Sequence, residues 1–481
     1  MKIRRKILTV TGIALGVAIL IPVIHHYQLR FAVANYIAEL KAKGEPMDLA
    51  QVIPPLVPPE NNGVPFITNA LARLKSESIA GNNPPPAMRS VSPGKAMIGW
   101  QQPDIRNPQG TNLWEDLGRE LATAKDDLGS FQSLTNHPVL DFNLDYQKLG
   151  LDSPFPQLAS FKRAAQWLSA AVLYHLQERN PKYACADAHA MLALVKGAAD
   201  ERIIISQLVR IAIAAIGANA TWEILQSPDV SEHDLAQLQQ DWQALEFNGA
   251  IEQAITFERV ENLQEFEQTR NSSEKFNVLW GSFYYAPETP VQENMTPRSM
   301  LTPRSLFLRK WDELRWRWFW SYQDELRELQ AFNGLKLDQN SSYDLRDFYS
   351  QSFNGLASAK RKATRIETAR NIVVAAIALK RYELRHHQLP ITLDQLTPDL
   401  LPAVPVDCMD GQPLRYRQNA DGTYLLYSVG ANGVDDGGNP SLEKNIHTSN
   451  FYWQNDRALD WVWPQPATPE EIKNYYAQPP K

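Results

Sequence analysis

Residues 161–197 read FKRAAQWLSAAVLYHLQERNPKYACADAHAMLALVKG, and their pattern sets the fold class. Apolar side chains recur every three or four positions on both sides of Asn180-Pro181, which predicts the helices Phe161–Arg179 and Tyr183–Gly197. A turn this short makes neighbouring helices antiparallel. The second helix has small side chains that permit close approach, namely Ala184, Ala186, Ala188 and Ala190. The stretch therefore predicts a helical hairpin in a mainly α fold.

The same periodicity continues along the chain. It predicts further helices at Glu201–Leu225, Glu232–Leu245 and Ala250–Glu267. Ser231 with Asp234 is typical of a capped helix start. We expect residues 113–350 to form one helical domain, either a helical-hairpin bundle or a solenoid-like body. A clean 34-residue repeat is not found in the sequence, so a bundle is the simpler expectation.

The N-terminus predicts a membrane anchor. Lys2, Arg4, Arg5 and Lys6 precede the uncharged apolar run of residues 7–24, which is just long enough to cross a bilayer as a helix. Basic residues favour the cytoplasmic side, so residues 1–30 are expected to be a single-pass signal anchor with the bulk of the chain outside.

Two alternatives to the anchor stay open. Ala32-Val33-Ala34 has the small-x-small form of a signal-peptidase site, although it lies well beyond the apolar run. A buried helix of a soluble protein is the second alternative, and the basic cluster argues against it. A later apolar stretch, residues 203–218, is short and contains Arg210, so we expect it to be a buried helix.

Composition shifts divide the chain into four predicted segments. Residues 1–30 are the anchor, and residues 31–112 are an extended or linker region with short helices. Four prolines lie within 53–64, and the richness of 79–112 in Pro, Gly, Asn and Ser predicts a long surface excursion. Residues 113–350 are the helical domain, and residues 351–481 are a small α+β module with a C-terminal tail.

An unusually aromatic stretch occupies residues 307–332. At helical spacing its aromatic side chains fall on two faces, which predicts a helix buried on two sides. A helix at a membrane surface is the alternative, because Trp favours interfaces. Five acids argue against that alternative since anionic lipid would repel them: Asp312, Glu313, Asp324, Glu325 and Glu328.

The pattern changes to strands after a long helix at residues 360–386. Alternating residues at 414–417 and 424–429 flank Asn419-Ala420-Asp421-Gly422. Asp-Gly between alternating segments is a strong signal for an antiparallel hairpin.

The C-terminal residues 360–464 carry a family resemblance. The quoted motifs are Tyr382 on the helix, Gln388-Leu389-Pro390, Pro405-Val406-Asp407, Leu414-Arg415-Tyr416, and Ser428-Val429-Gly430-Ala431-Asn432-Gly433. This part resembles the globular part of the major pseudopilin of type II secretion. Cys408 stands where that family usually has Pro, and the N-terminus does not resemble a prepilin leader. We therefore expect a borrowed module instead of a processed pilin subunit.

The rest of the chain is similar to a group of uncharacterised, membrane-anchored bacterial proteins. The similarity lies in Glu39-Leu40 through Gly44-Glu45-Pro46, in residues 206–212 (SQLVRIA), and in Asp460-Trp461-Val462-Trp463-Pro464. This resemblance implies architecture and a place in the bacterial inner membrane, and it implies no activity.

One loop is a candidate metal site. Within residues 430–439, Asn432, Asp435 and Asp436 supply oxygen ligands of the kind that Ca²⁺ prefers, and the glycines permit tight turns. The pseudopilin resemblance implies calcium in this loop, completed by a later acid that we match to Asp460. The alternative is a hydrated Asp/Gly turn.

Other chemistry finds little support in the sequence. A net charge of −6 excludes a global basic field for nucleic acid, and 2 cysteines exclude a multi-cysteine zinc site. Cys185 and Cys408 could form a disulfide or remain two thiols. Neither a Gly-x-Ser-x-Gly motif nor a phosphate-binding Gly loop occurs. Glu383-x-x-His386, His175-x-x-Glu178 and Asp187-x-His189 are most simply surface groups.

These observations favour a non-catalytic scaffold. The predicted protein is tethered by residues 7–24, contacts protein partners in the cell envelope through its C-terminal module, and binds no nucleic acid. An envelope hydrolase with catalytic residues scattered along the chain is the alternative, because catalytic groups need not be close in sequence.

Overall fold

The computed structural model describes residues 2–107, 110–149, 155–277, 310–335, 348–442 and 453–477. Helices dominate, and a small sheet-containing region lies towards the C-terminus, which confirms the mainly α expectation. The helices are α1 (Lys2–Ala42), α2 (Leu49–Val52), α3 (Val64–Arg73), α4 (Ile79–Asn82), α5 (Trp114–Thr123), α6 (Lys125–Gln132), α7 (Pro156–Gln177), α8 (Pro181–Gly197), α9 (Ile204–Leu225), α10 (Glu232–Gln243), α11 (Asn248–Asn271), α12 (Ser321–Leu335), α13 (Phe348–His386) and α14 (Pro469–Ala477). A π-helix at Trp316–Trp320 directly precedes α12.

Within the described residues, short strands form three small sheets. The strands are β1 (Arg89–Ser92), β2 (Lys95–Met97), β3 (Ile105–Asn107), β4 (Gly110–Asn112), β5 (Arg415–Gln418), β6 (Tyr424–Ser428), β7 (Trp461–Val462) and β8 (Gln465–Pro466). Their orders are β1-β2-β8, β3-β4 and β5-β6-β7.

The chain divides into two compact units. The first unit comprises residues 1–53 and 255–358, and the second comprises residues 54–254 and 359–481. Each unit joins segments that are distant in the sequence. The four segments expected from composition follow one another along the sequence, whereas these two units are defined by contacts in space. The four segments therefore stay a prediction.

The helical hairpin forms the centre of the second unit. α7 packs against α8 and α9, and α8 packs against α10. Pro181 stands at the first position of α8, where a missing N–H costs nothing. α10 starts as the sequence predicts, because Ser231 Oγ accepts a hydrogen bond from the Asp234 N–H at 3.1 Å. The predicted helices of residues 161–267 are therefore present with boundaries shifted by a few residues.

The predicted surface excursion at residues 79–112 is wrong for much of its length. β1 pairs with β2, and the side chains of Ala96, Met97 and Ile105 are buried. β2 also pairs in parallel with β8, in the register Lys95↔Gln465. Pro and Gly mark the turns of this segment correctly, but its partner strand lies far along the chain, where local composition gives no signal.

The C-terminal hairpin is confirmed. β5 and β6 are antiparallel, with Arg415 opposite Tyr427 and Gln418 opposite Tyr424. β7 adds a third antiparallel strand beside β6. This sheet carries the loop of residues 430–439, which leaves the end of β6.

The first unit is built around α1, a single helix of 41 residues. Val33, Leu40 and Met47 form a buried cluster with Leu329 of α12. Trp316 of the π-helix is buried with Phe266 and Phe276. α12 therefore packs along the second half of α1.

The aromatic stretch departs from its expectation. Trp316 is buried, but the neighbouring Trp311, Trp318 and Trp320 are exposed, so the prediction of a helix buried on two sides is wrong. The predictions for residues 307–309 concern positions outside the described residues.

One helix of the described chain is long and apolar enough to cross a membrane by length and composition. It is α9, and half of its apolar window is buried. Arg210 on this helix is buried and donates hydrogen bonds to the Val195 carbonyl at 2.7 Å and the Glu246 carbonyl at 2.6 Å. This burial agrees with the expectation of an internal helix. The anchor at residues 1–30 stays a prediction.

Candidate functional site

The loop of residues 430–439 brings the four predicted calcium ligands into one region. Asn432, Asp435 and Asp436 lie on the loop with exposed side chains, and Asp460 lies beneath it, just before β7, with a buried one. Gly430, Gly433, Gly437 and Gly438 adopt positive φ angles. The turns of the loop therefore depend on glycine.

Asp460 closes the loop. Its carboxylate accepts hydrogen bonds from the backbone N–H groups of Gly438 at 2.8 Å, Asn439 at 2.9 Å and Asp436 at 3.3 Å. Burial raises the pKa of Asp460, and these three N–H donors oppose that rise because they favour the charged form. These N–H groups of the loop therefore bind the Asp460 carboxylate, which takes the place of water as their acceptor.

Asp435 faces a cation. Its carboxylate accepts hydrogen bonds from the Gly437 N–H and the Tyr427 hydroxyl, both at 3.0 Å, and lies 3.5 Å from the Arg415 guanidinium. The Gly437 N–H is the main reason why the pKa of Asp435 is lowered. The Asp436 carboxylate accepts a hydrogen bond from the Asn432 amide at 3.1 Å.

Arg415 connects this loop to a second buried acid. It pairs with Asp407 at 3.1 Å and, in a shorter contact, with Asp410. Asp407 is fully buried and accepts further hydrogen bonds from the Ser428 hydroxyl at 2.8 Å and the Val429 N–H at 2.9 Å. The Pro-Val-Asp segment of the pseudopilin resemblance therefore fastens the hairpin from the inside. The quoted motif contains this residue, but its role as the centre of a network was not predicted.

The fit of this loop to a calcium ion is incomplete in this conformation. Most of the candidate oxygens accept hydrogen bonds from the protein, and Arg415 would repel a cation beside Asp435. Among the residues that the structure describes, three or more His, Cys, Asp or Glu side chains nowhere form a group that could hold a metal ion. Calcium therefore stays a prediction, and it requires Asp435 to turn away from Arg415.

Two histidines pair with acids across helices. His175 Nδ1 of α7 lies 2.8 Å from Asp187 Oδ2 of α8, and His189 of α8 contacts Asp241 of α10. Asp187 is buried, and burial raises its pKa while His175 opposes the rise. The expectation of a surface group is wrong for Asp187. Short motifs could not reveal these pairs because each joins two different helices.

The His175 pair has one feature of a catalytic base, since an acid orients its ring. A hydrolase also needs a nucleophile or an activated water beside the free ring nitrogen. The rings beside His175 belong to Tyr174 and Tyr183, with centroids at 5.9 and 5.5 Å. The contacts that are seen serve packing between α7 and α8.

Glu223 is a fully buried acid that fastens the 79–112 segment to α9. Its carboxylate accepts hydrogen bonds from the Met88 N–H at 2.6 Å and the Gly99 N–H at 3.0 Å. Burial raises the pKa of Glu223 to about 8. Gly99 is required here, because a Cβ atom would meet the Pro86 carbonyl oxygen at 2.6 Å.

Cys185 and Cys408 are both free thiols in the structure, so the disulfide that the sequence left open is not formed. Cys185 is buried, and burial raises its pKa to about 12. The Cys408 thiol accepts a hydrogen bond from the Asn371 amide at 3.7 Å.

Comparison with known proteins gives no relative. No protein-family model, curated protein or solved structure matches this chain. The pseudopilin resemblance and the similarity to membrane-anchored bacterial proteins therefore rest on the quoted residues alone, and both stay predictions.

Proposed function

We propose that the protein is a scaffold tethered to the bacterial inner membrane, with its bulk outside the cytoplasm and a C-terminal module that docks envelope proteins. One observation carries the tether. α1 is unbroken from Lys2 to Ala42, and the second half of this helix buries Val33 and Leu40. The end of its apolar run instead exposes Leu20, Ile21 and Ile24. Exposed apolar side chains on a helix favour a lipid environment.

The packing of Val33 also favours an uncleaved anchor. This residue lies in the middle of the small-x-small sequence that a signal peptidase would require, and it is part of the cluster around Leu329. Cleavage there would remove one side of a buried contact. The tether that we propose is therefore permanent.

The docking role rests on the C-terminal module. Its pseudopilin resemblance suggests a partner among secretion or pilus components. The module exposes three large apolar side chains, Ile391, Val406 and Val434. Single exposed apolar residues are common, so these positions serve as probe sites in the test.

Calcium is part of the proposal as a stabilising ligand. Asn432, Asp435, Asp436 and Asp460 would supply its oxygens in the loop of residues 430–439. A ligand that binds only the folded module increases its stability by mass action. Millimolar Ca²⁺ is then expected to raise the melting temperature of the full chain relative to chelator. An equal melting temperature in both would contradict the calcium proposal and leave the tether intact.

Membrane extraction tests the tether. We expect the full chain to stay in the membrane pellet after an alkaline carbonate wash. Replacing Ile13 and Val17 by Lys should release it, because each central lysine costs about 3 kcal/mol of insertion free energy. The same two changes at the exposed Ile391 and Val434 serve as the control and should leave extraction unchanged. Release of the unaltered chain would contradict the tether.

Photo-crosslinking tests the docking role. A photoreactive residue at Val434 or Ile391 of the full chain, in native membranes, should yield recurrent adducts with envelope proteins. Leu56 is the matched control, since it is also apolar and exposed but lies in the extended residues before α3. Adducts that are the same at all three positions would contradict docking through the module.

A further inference from the structure

The aromatic stretch presents a dense apolar surface. Five large side chains are between 38% and 52% exposed, and they are Trp311, Leu314, Trp318, Phe319 and Trp320. Exposed patches of this kind mark contact sites for proteins or membranes. The position and charge of this patch decide between the two.

Two of the exposed side chains precede a π-helix, and the other three belong to it. Residues 310–315 are α-helical, and the Trp316–Trp320 turn then follows i→i+5 bonding. Trp316 turns inward, where its indole N–H donates a hydrogen bond to Asp324 at 3.0 Å. The consecutive Trp318, Phe319 and Trp320 are left on the surface.

Most of the acids of this stretch are turned away from the surface. Glu313, Glu325 and Glu328 are buried. Glu313 pairs with Arg317 at 2.7 Å, Glu325 pairs with Arg270 at 2.8 Å, and Glu328 accepts a hydrogen bond from the Asn262 amide at 2.6 Å.

The two remaining acids are Asp312, which lies beside a cation, and Asp324, which is partly buried. Asp324 accepts the hydrogen bond from Trp316, and Asp312 lies 3.8 Å from Arg315. The Arg315 guanidinium lies 4.9 Å above the Trp320 ring, so a cation accompanies the exposed aromatic side chains. The repulsion expected from the sequence is therefore reduced.

The patch lies at the level where the apolar run of α1 ends. His26 Nδ1 is 2.9 Å from the Trp318 carbonyl oxygen, and the two rings are 5.0 Å apart. Ile24, the last residue of the run, is about 3 Å from His26 along the helix axis. Further along α1, Val33 and Leu40 pack against Leu329. From Trp318 to Leu329, the π-helix and α12 therefore extend away from the end of the apolar run of α1.

We propose that Trp311, Leu314, Trp318, Phe319 and Trp320 insert into the interface of the bilayer that holds residues 7–24. This inference rests on the proposed tether. Trp is enriched at the headgroup level, and an aromatic face at that level reaches about 5–10 Å into the boundary with the acyl chains. The first unit would then contact the membrane in two places, through α1 and through this face.

Depth-dependent fluorescence quenching tests the second contact. The full chain with Cys185 and Cys408 replaced by Ala receives one cysteine, at Phe319, Ile24 or Gln330, and is labelled with a nitrobenzoxadiazole probe. Each protein is placed in nanodiscs of phosphatidylcholine and phosphatidylglycerol, one chain per disc, with a nitroxide high on the lipid acyl chain. Gln330 is the matched control, because it is exposed on α12 about 16 Å beyond Phe319.

The expected result is strong lipid quenching at positions 319 and 24, with protection from aqueous iodide, and weak lipid quenching at position 330. Quenching at 24 without quenching at 319 overturns this inference and leaves the tether standing. Quenching at neither position overturns both. Quenching at 319 alone overturns the tether, and with it the proposed insertion into the bilayer that holds residues 7–24. Circular dichroism of each labelled protein confirms that the helices are retained.

Discussion

Replacing Asp460 by Ala tests whether this buried carboxylate holds the loop of residues 430–439. The substitution leaves the N–H groups of Gly438, Asn439 and Asp436 without their acceptor. An unsatisfied buried donor costs about 1–3 kcal/mol. Two of the three bonds are short, and water can reach the exposed loop. The burial that raises the pKa of Asp460 also lowers the benefit of its charge. We expect local destabilisation of about 2 kcal/mol, which is the lower end of the sum for the two short bonds alone.

Hydrogen exchange measured by mass spectrometry reports this change where it occurs. Peptides covering residues 430–442 should exchange roughly thirtyfold faster in the Asp460→Ala protein, since each 1.4 kcal/mol corresponds to about a factor of ten. Peptides from α7 and α8 should keep their protection. Asp399→Ala is the matched control, because Asp399 is an exposed acid of the same region.

Two outcomes would refute the reasoning. Unchanged exchange in residues 430–442 would mean that Asp460 does not hold the loop. Faster exchange throughout the second unit would mean that Asp460 supports the whole core and not this loop in particular. Calcium provides a further comparison, because any protection that it adds to the unaltered chain should be lost with Asp460.

Three more predictions follow from buried contacts. Because its pKa is raised to about 8, Glu223 stays protonated in the folded state at pH values where it ionises in the unfolded chain. The free energy of unfolding should therefore fall by about 1.4 kcal/mol per pH unit as pH rises from about 4.5 to 8. Glu223→Gln should remove that slope in urea unfolding, and an unchanged slope would contradict it. Gly438→Ala should lower the melting temperature, because φ is +79° and the new Cβ would overlap Leu425; Gly433→Ala, also at positive φ but with open space around it, separates the clash from backbone strain. His175→Ala should lower the free energy of unfolding by about 1–3 kcal/mol, because it leaves the Asp187 carboxylate buried and unpaired. Adding Asp187→Asn should restore part of that stability. If calorimetry finds the double variant less stable than His175→Ala alone, the pair does not act as described.

The sequence predicts those parts of the fold that depend on neighbouring residues. Helical periodicity located α7 and α8, a capping pair located the start of α10 at Ser231, and an Asp-Gly turn located the β5-β6 hairpin. Each of these signals lies within a few residues of the structure that it specifies. Local chemistry was therefore sufficient.

Long-range pairing could not be predicted in the same way. β2 finds its partner β8 far along the chain, and Glu223 finds its partners at Met88 and Gly99. A buried acid on a helix carries no local sign of which backbone it will bind. The candidate loop shows both cases, since its glycines and acids were predicted and the Arg415 network around Asp407 was not.

The prediction for the aromatic stretch was wrong in part for a geometric reason. Assigning faces at about 100° per residue assumes α-helical spacing throughout. The π-turn at Trp316–Trp320 changes the angle between successive side chains, so this assignment does not hold for Trp318, Phe319 and Trp320. Trp311 and Leu314 precede the turn and are exposed without it.

The pairing of β2 with β8 has a consequence for how the protein is made. Lys95 and Gln465 are partners although roughly 370 residues separate them, and the Trp222 indole donates a hydrogen bond at 2.8 Å to the Pro464 carbonyl. While a ribosome is still translating the intervening residues, the edge of β2 opposite β1 has no strand beside it and the buried indole lacks this acceptor. A chain terminated early would keep both defects permanently. This part of the core can therefore close only after residues 464–466 have been translated.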